Sequence, residues 1–400
     1  MRCALRRALF LLAVATLAWT RAVGAGPAGA APGEGGAPRE PLRVVVPDPD
    51  NLQYLSFWVA LGAGYFEAEG FDVALSSPSF PAGVAELLRK EQAPVAVLPP
   101  PVYLELISDR YPARIVANLL ANDGINLIVR RSIAEERRLS AGAPLADRLR
   151  GLRGLRVGVA PGPVKRLRAV FAAEGLDADQ EIVLHVAPGK DQNDLFGAGR
   201  VDALFAHTPY LEKALLDQDA VMLVNASAGD VPTLAGLQIH ALVVTAAFAD
   251  ARPASVQALV HAVARAQRLI HADVPAASAA AQRALPALEP RLVDAIVRLY
   301  EPAVPAGPEV SVAGLSRAHA LFPARKPLPQ LEDAELAAYV DARFAAQAGR
   351  DLRDAAPPPA AAAGASFLTR AAVVGGIALA LAVAAALVAL ARRRAGRAGR

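Results

Sequence analysis

An α/β fold in a chain long enough for two lobes is what the sequence predicts, on three observations. Short β-branched runs alternate with helical stretches as far as Val244, helices alone follow, and low-complexity segments bracket the whole. The 400 residues exceed the roughly 100–200 that one core usually fills, so two lobes of ordinary size are allowed.

The chain opens MRCALRRALFLLAVATLAWTRAVGA, with a basic start (Arg2, Arg6, Arg7), an apolar run from Ala8 to Trp19 and a small-x-small end at Val23-Gly24-Ala25. That is the layout of a secretory signal peptide cut after Ala25; an uncleaved N-terminal anchor is the alternative. Cys3 is the one cysteine, so a chain cut there has no disulfide, thiol nucleophile or cysteine metal site. Net charge is +4, but residues 1–25 hold four arginines and 366–400 six, both without an acid, which leaves 26–365 at −6. The basic character belongs to the two ends and gives no argument for a nucleic-acid partner.

Residues 26–41 and 351–366 are rich in Pro, Gly and Ala with scattered charge, too poor in apolar area to order themselves, and read as tethers around a folded body, 42–350. Within it the strand candidates are Leu42–Val46, Phe71–Leu75, Val95–Leu98, Arg114–Asn118, Asn126–Val129, Leu155–Val159, Ile182–Val186, Ala203–Phe205, Val221–Val224 and Gln238–Val244. Helical stretches such as 81–91, 101–109, 163–174 and 209–217 lie between many of them, the alternation of parallel sheets. Beyond Val244 come helices at Pro253–His271, Ala276–Ala284, Arg291–Leu299, Ala313–Leu321 and Glu332–Gln347, with Pro253, Pro275 and Pro290 where helices begin.

At the C-terminal end, Ala371–Ala391 is an uncharged run of 21 residues, long enough to cross about 30 Å of hydrocarbon once. A transmembrane helix is therefore expected over 367–391. The basic tail 392–400, with Arg392, Arg393, Arg394, Arg397 and Arg400, places the C-terminus in the cytoplasm and the body outside.

The stretch after Pro41 shows where a site would lie. Leu42–Val46 is almost continuously apolar, as a strand buried on both faces is. Ligands of open α/β sheets bind beyond the carboxyl ends of the strands, here the loop from Pro47 to Asn51 and the helix after it, which nominates Asn51, Gln53 and Tyr54. That helix carries Leu55, Trp58, Val59 and Gly62 on one face and stops at Gly64, a residue suited to a left-handed turn. Trp58 reads as core.

VALGAGYFEAEGFDVAL resembles the segment near the start of type II periplasmic substrate-binding proteins of the nitrate, sulfonate, taurine and thiamine-precursor ABC transporter group. The resemblance continues in LRGLRGLRVGV (149–159), similar to the start of that group's second lobe, and in LFGAGRVDA (195–203), and covers roughly 42–345. It implies the bilobal periplasmic-binding-protein type II fold, with lobe I at 42–121 and 236–350 and lobe II at 128–226. Crossovers would lie near Asn122–Asn126 and Ser227–Ala235, polar or glycine-containing as hinges tend to be. It also implies capture of one small solute, sulfonate-like or thiamine-precursor-like, for an ABC permease and ATPase.

Two positions depart from the group: Gln92-Ala93-Pro94-Val95 lacks its acid, and Pro99-Pro100-Pro101 stands where anion binders often place Ser or Thr. Pro101 remains a candidate contact. Gly162 and Val164 open a helix whose N-terminal N–H groups suit an anion, with Pro163 at the first position. His207 and Tyr210 follow the strand ending at Ala206; His207 either donates to a ligand or is satisfied by local backbone. Asn122, in Asn122-Asp123-Gly124, touches solute from the hinge or simply makes a turn. Lys165 and Arg166 read either as anion-steering charges or as a solvated first helical turn, the second being favoured.

No phosphate-binding loop, His-Glu-x-x-His or nucleophile elbow occurs, and the other histidines lack metal-ligand spacing, so neither enzyme activity, metal nor cofactor is expected. One rival is an enzyme of the same fold that builds the thiamine pyrimidine, whose Cys-rich motif this chain lacks. Another is a ligand sensor or accessory subunit whose C-terminal helix recruits a partner.

Overall fold

The computed structural model describes residues 39–354 apart from 48, 50, 79, 80, 91 and 323–330. The expected signal peptide, the transmembrane run Ala371–Ala391 and most of the two tethers lie outside the described residues. Among the described residues no helix is long and apolar enough to cross a membrane.

Among the described residues ten strands form two five-stranded sheets. The first joins β1 (Glu40–Val45), β2 (Phe71–Ser76), β3 (Val95–Leu98), β4 (Ala113–Ala121) and β10 (Gln238–Thr245) in the order β2-β1-β3-β10-β4. The second joins β5 (Asn126–Arg130), β6 (Arg156–Val159), β7 (Val183–Val186), β8 (Ala203–Ala206) and β9 (Ala220–Val224) in the order β7-β6-β8-β5-β9. Every strand candidate from the sequence becomes a strand with ends moved by at most three residues. Burial follows composition: all eight residues of β10 are buried in mid-sheet, whereas edge strand β7 leaves Val183 and Val186 exposed.

The expectation of parallel sheets needs correction, because both sheets are mixed. β10 runs antiparallel to β3 and β4, and β5 antiparallel to β8 and β9. The reason lies in the crossovers. β4 is the edge strand of its sheet, and residues 122–125 carry the chain on to the second sheet at the end where β8 and β9 finish. β5 must then start where β6 and β8 end, and so runs against them. β10, entered from 225–237, reverses in the same way.

Side chains lace the crossovers together. Asn122, at a left-handed φ of 59° that asparagine tolerates, donates from Nδ2 to the Ser227 carbonyl (2.9 Å) and accepts from the Gly236 N–H (2.9 Å). Asn126 donates to Ser227 Oγ (3.0 Å) and accepts from the Ser227 N–H (3.0 Å).

Helix α1 (Leu55–Gly62) is buried along nearly its whole length, Trp58 included, and the chain turns at Gly64, φ 72°. Further helices used below are α2 (Pro100–Ser108), α3 (Val164–Ala173), α4 (Tyr210–Asp217), α5 (Pro253–Ala272), α6 (Val274–Ala284) and α7 (Pro290–Tyr300). α1 packs on α5 and α6, and α7 packs on α6 and across onto α4, where Arg291 pairs with Asp217 at 2.9 Å. The expected helix Glu332–Gln347 is two helices, Asp333–Ala337 and Ala342–Asp354. The break arises because Ile115 of β4 donates to the Tyr339 carbonyl (2.7 Å) and accepts from the Asp341 N–H (3.0 Å), adding one bridge to the sheet edge.

α1 and α6 approach so closely that a Cβ on Gly62 would collide with the Ala280 carbonyl; Ala277, Ala280 and Ala281 form the facing small-residue surface. Gly62→Ala is therefore expected to lower unfolding free energy by about 1–3 kcal/mol, as overpacking does. A denaturant titration reads this as a lower midpoint at unchanged slope.

Candidate functional site

Each sheet points its carboxyl ends at a shared cavity of about 300 Å³. From the first sheet come Pro47 after β1, the Pro99-Pro100-Pro101 loop after β3, and Ile239 and His240 on β10. The turn before α1 supplies Asn51, Gln53 and Tyr54, the crossover Asp123 and Ile125. From the second sheet come Gly162, Pro163 and Arg166 at the head of α3, and His207 after β8; Phe322 completes the wall.

The nine residues nominated from sequence divide accordingly. Asn51, Gln53, Tyr54, Pro101, Gly162 and His207 line the cavity, whereas Asn122, Val164 and Tyr210 are not in its lining. Asn122 is engaged in the crossover network, Val164 packs against the hydrophobic core, and Tyr210 lies edge-on to His207, ring centroids 5.4 Å apart, with its carbonyl accepting from Asn193 at 2.7 Å.

Local geometry fixes the polar groups of the first lobe. Asn51 caps the short turn before α1, its Oδ1 accepting from the Gln53 N–H (2.9 Å) and its carbonyl from Trp58 Nε1 (3.0 Å). Gln53 donates from Nε2 to the Gly124 carbonyl and lies 3.1 Å from His240 Nε2 through Oε1. A Cβ on Gly124 would strike the Gln53 amide, so the crossover passes this close only as glycine. The Tyr54 ring meets the His240 ring edge-on, centroids 4.6 Å apart.

Burial, with lesser contributions from Arg166 and His207, lowers the His240 pKa to about 3, so its imidazole is neutral at physiological pH. Gln53 Oε1 can only accept, which places the proton on Nε2 and leaves Nδ1 an acceptor; that atom has no partner among the described residues. His207 Nδ1 lies 2.6 Å from the Thr208 carbonyl, which assigns the proton to Nδ1 by the same logic.

At the centre is a pair the sequence did not reveal. Arg166 is 7% exposed and its Nη1 donates to Asp123 Oδ1 at 2.6 Å, while Asp123 is fully buried. The solvated helical turn favoured for Arg166 from sequence is thus overturned, because a carboxylate 43 positions earlier draws the guanidinium inward. The guanidinium also stacks on the Phe322 ring, 4.2 Å from its centroid. Burial pushes the Asp123 carboxyl up and the Arg166 guanidinium down, each opposed by its partner. An arginine does not give up its proton in a protein, and a neutral Asp123 would leave that charge buried without a counter-charge, so the pair stays ionic. Asp123 Oδ2 and Arg166 Nε have no partner among the described residues. Lys165, exposed, donates instead to the Ala320 carbonyl at 2.6 Å.

Behind the cavity, Tyr300 at the end of α7 donates to the Gly124 carbonyl (2.8 Å) and accepts from the Thr208 N–H (3.3 Å). Beside it, Glu212 of α4 is buried next to Thr208 and Tyr300. Among the described residues no group of His, Cys, Asp or Glu is placed to hold a metal ion.

Residues 50–285, more than half the chain, match the NMT1-like family. No curated protein matches the chain in sequence. The alkanesulfonate-binding protein SsuA of Xanthomonas axonopodis pv. citri, bound to MOPS, shares the fold with a TM-score of 0.52 and 20% identity, over 76% of this chain and 99% of that one. The periplasmic nitrate-binding protein NrtA of Synechocystis PCC 6803 gives 0.54 at 13% identity, over 79% and 90%. The desulfurization enzyme DszB gives 0.51 at 17%, over 79% and 100%. At these identities the likeness shows a common fold, which binding proteins and an enzyme both use.

Burial raises the Glu212 pKa from 4.5 to about 7, with Thr208 and Tyr300 offsetting part of the shift. A carboxyl whose folded pKa is raised binds protons more tightly in the native state than in the unfolded one. Stability from this group is therefore full below about pH 4.5 and is lost as pH rises to about 7, by at most about 3 kcal/mol. Glu212→Gln is expected to remove that slope and to raise the unfolding midpoint at pH 8, as a pH series of thermal melts would show.

Proposed function

The chain belongs to the NMT1-like family, and on that premise we propose that it is the solute-binding component of an ABC importer, exported and tethered to the membrane. The observation that carries this reading is the cavity at the carboxyl ends of both sheets, lined from each lobe and from the crossover between them. A solute held there touches both lobes at once, so its binding energy favours the conformer in which they meet. Six of the nominated residues stand in that wall: Asn51, Gln53 and Tyr54 as first-lobe contacts, Pro101 as an apolar one, and Gly162 and His207 as second-lobe contacts.

Export and tethering rest on the sequence pattern, a signal peptide over 1–25 and a membrane span over 367–391 with a basic cytoplasmic tail. In this reading the protein captures and delivers, and permease and ATPase subunits in the same membrane move the solute. Catalysis is not part of it: the buried lining offers no activated nucleophile, and the neutral His240 is engaged with Gln53.

Thermal unfolding of the full-length protein against alkylsulfonates, taurine, nitrate, bicarbonate, aromatic acids, thiamine pyrimidines and uncharged amides tests the reading. A true ligand at a hundred times its dissociation constant adds about 2.7 kcal/mol, a shift of several degrees. His207→Ala is expected to weaken such a hit about tenfold, the order of one lost hydrogen bond. A folded protein that responds to none of these favours the accessory-subunit reading instead.

A further inference from the structure

Resting on the solute-binding reading, we infer that the cavity is built for an uncharged solute with an apolar body, and not for a free oxyanion. Its one lining guanidinium, Arg166, is already matched by Asp123 at 2.6 Å and covered by the Phe322 ring. Asp123 and Arg166 sum to zero, and His240 is a neutral imidazole whose Nε2 faces Gln53. Apart from His207, an anion enclosed here would meet no uncompensated cation to replace its water, the costly case for burying charge.

Backbone donors are scarce in the first lobe. Pro100 and Pro101 remove two N–H groups from the head of α2, and the next two, on Val102 and Tyr103, are directed to the Pro99 carbonyl at 3.0 and 3.3 Å. Pro163 removes another at the cap of α3, and the Gln53 N–H before α1 is taken by Asn51. A helix N-terminus attracts anions through free N–H groups, and the first lobe has spent or deleted its own. The five lining prolines with Ile125, Ile239 and Phe322 call for an apolar body.

Asp123→Asn keeps the shape of the side chain and leaves Arg166 unmatched. With the full-length protein, millimolar methanesulfonate or nitrate, compared with chloride at equal ionic strength, is expected to leave the parent's melting midpoint unchanged and to raise that of Asp123→Asn by several degrees. An equal rise in the parent would overturn the inference while upholding solute binding, and no rise in either protein would also overturn it. Should the variant fail to fold, mass spectrometry of small molecules released from the purified parent decides: an uncharged molecule is expected, and a sulfonate or other anion contradicts the inference. Failure of the solute-binding reading itself would look different, as a parent that releases nothing and responds to no member of the wider panel.

Discussion

One buried ion pair organises the centre of this molecule. Asp123 sits on the crossover, Arg166 on the first turn of α3 in the second lobe, and Phe322 on the returning first-lobe chain, so a single guanidinium touches the crossover and both lobes. Removing either charge strands the other in a low-dielectric wall, a far larger penalty than the pair's net contribution to stability. The pair fixes the position of α3 against the crossover and cancels the charge of the cavity's lining guanidinium.

Around it the crossovers decide the rest of the architecture. Because β5 and β10 both begin where their neighbouring strands end, each reverses direction relative to them, and the remaining strand ends converge on the cavity. Asn122, Asn126 and Ser227 tie the two connecting segments side by side. Tyr300 and Gln53 both reach the Gly124 carbonyl, so the crossover backbone is held from the first lobe as firmly as Asp123 holds the second. The small-residue contact of α1 with α6 supplies the rigid floor on which Gln53 and Tyr54 are presented.

Much of this was legible in the sequence, and the exceptions share a cause. Strands such as Val95–Leu98 and Gln238–Thr245 announce themselves because continuous apolar runs have no other stable place than a sheet buried on both faces. Asn51, Gln53 and His207 were found because a loop after a strand's carboxyl end is a local feature. Strand direction was missed because it depends on where a crossover delivers the chain, not on the residues of β5 or β10. Arg166 was misjudged because a cation in the first turn of a helix is ordinarily solvated; only its partner 43 residues away, and Phe322 still farther, bury it. His240 lies in an apolar strand with nothing nearby to mark it, and Glu212 looks like any charge on an amphipathic helix until α7 covers it. Among the signals that were available, the triple proline after Val95–Leu98 was noted as a departure, and its meaning, a helix head without donors, required the structure.

The coupling between Asp123 and Arg166 is the interaction on which the cavity depends. A double-mutant cycle with Asp123→Asn, Arg166→Gln and both together, read by denaturant unfolding of the full-length protein, measures it directly. Each single change is expected to cost about 3–5 kcal/mol, and the double change to cost less than their sum by at least about 2 kcal/mol. Additivity within about 0.5 kcal/mol would contradict the account, because the two side chains would then act independently.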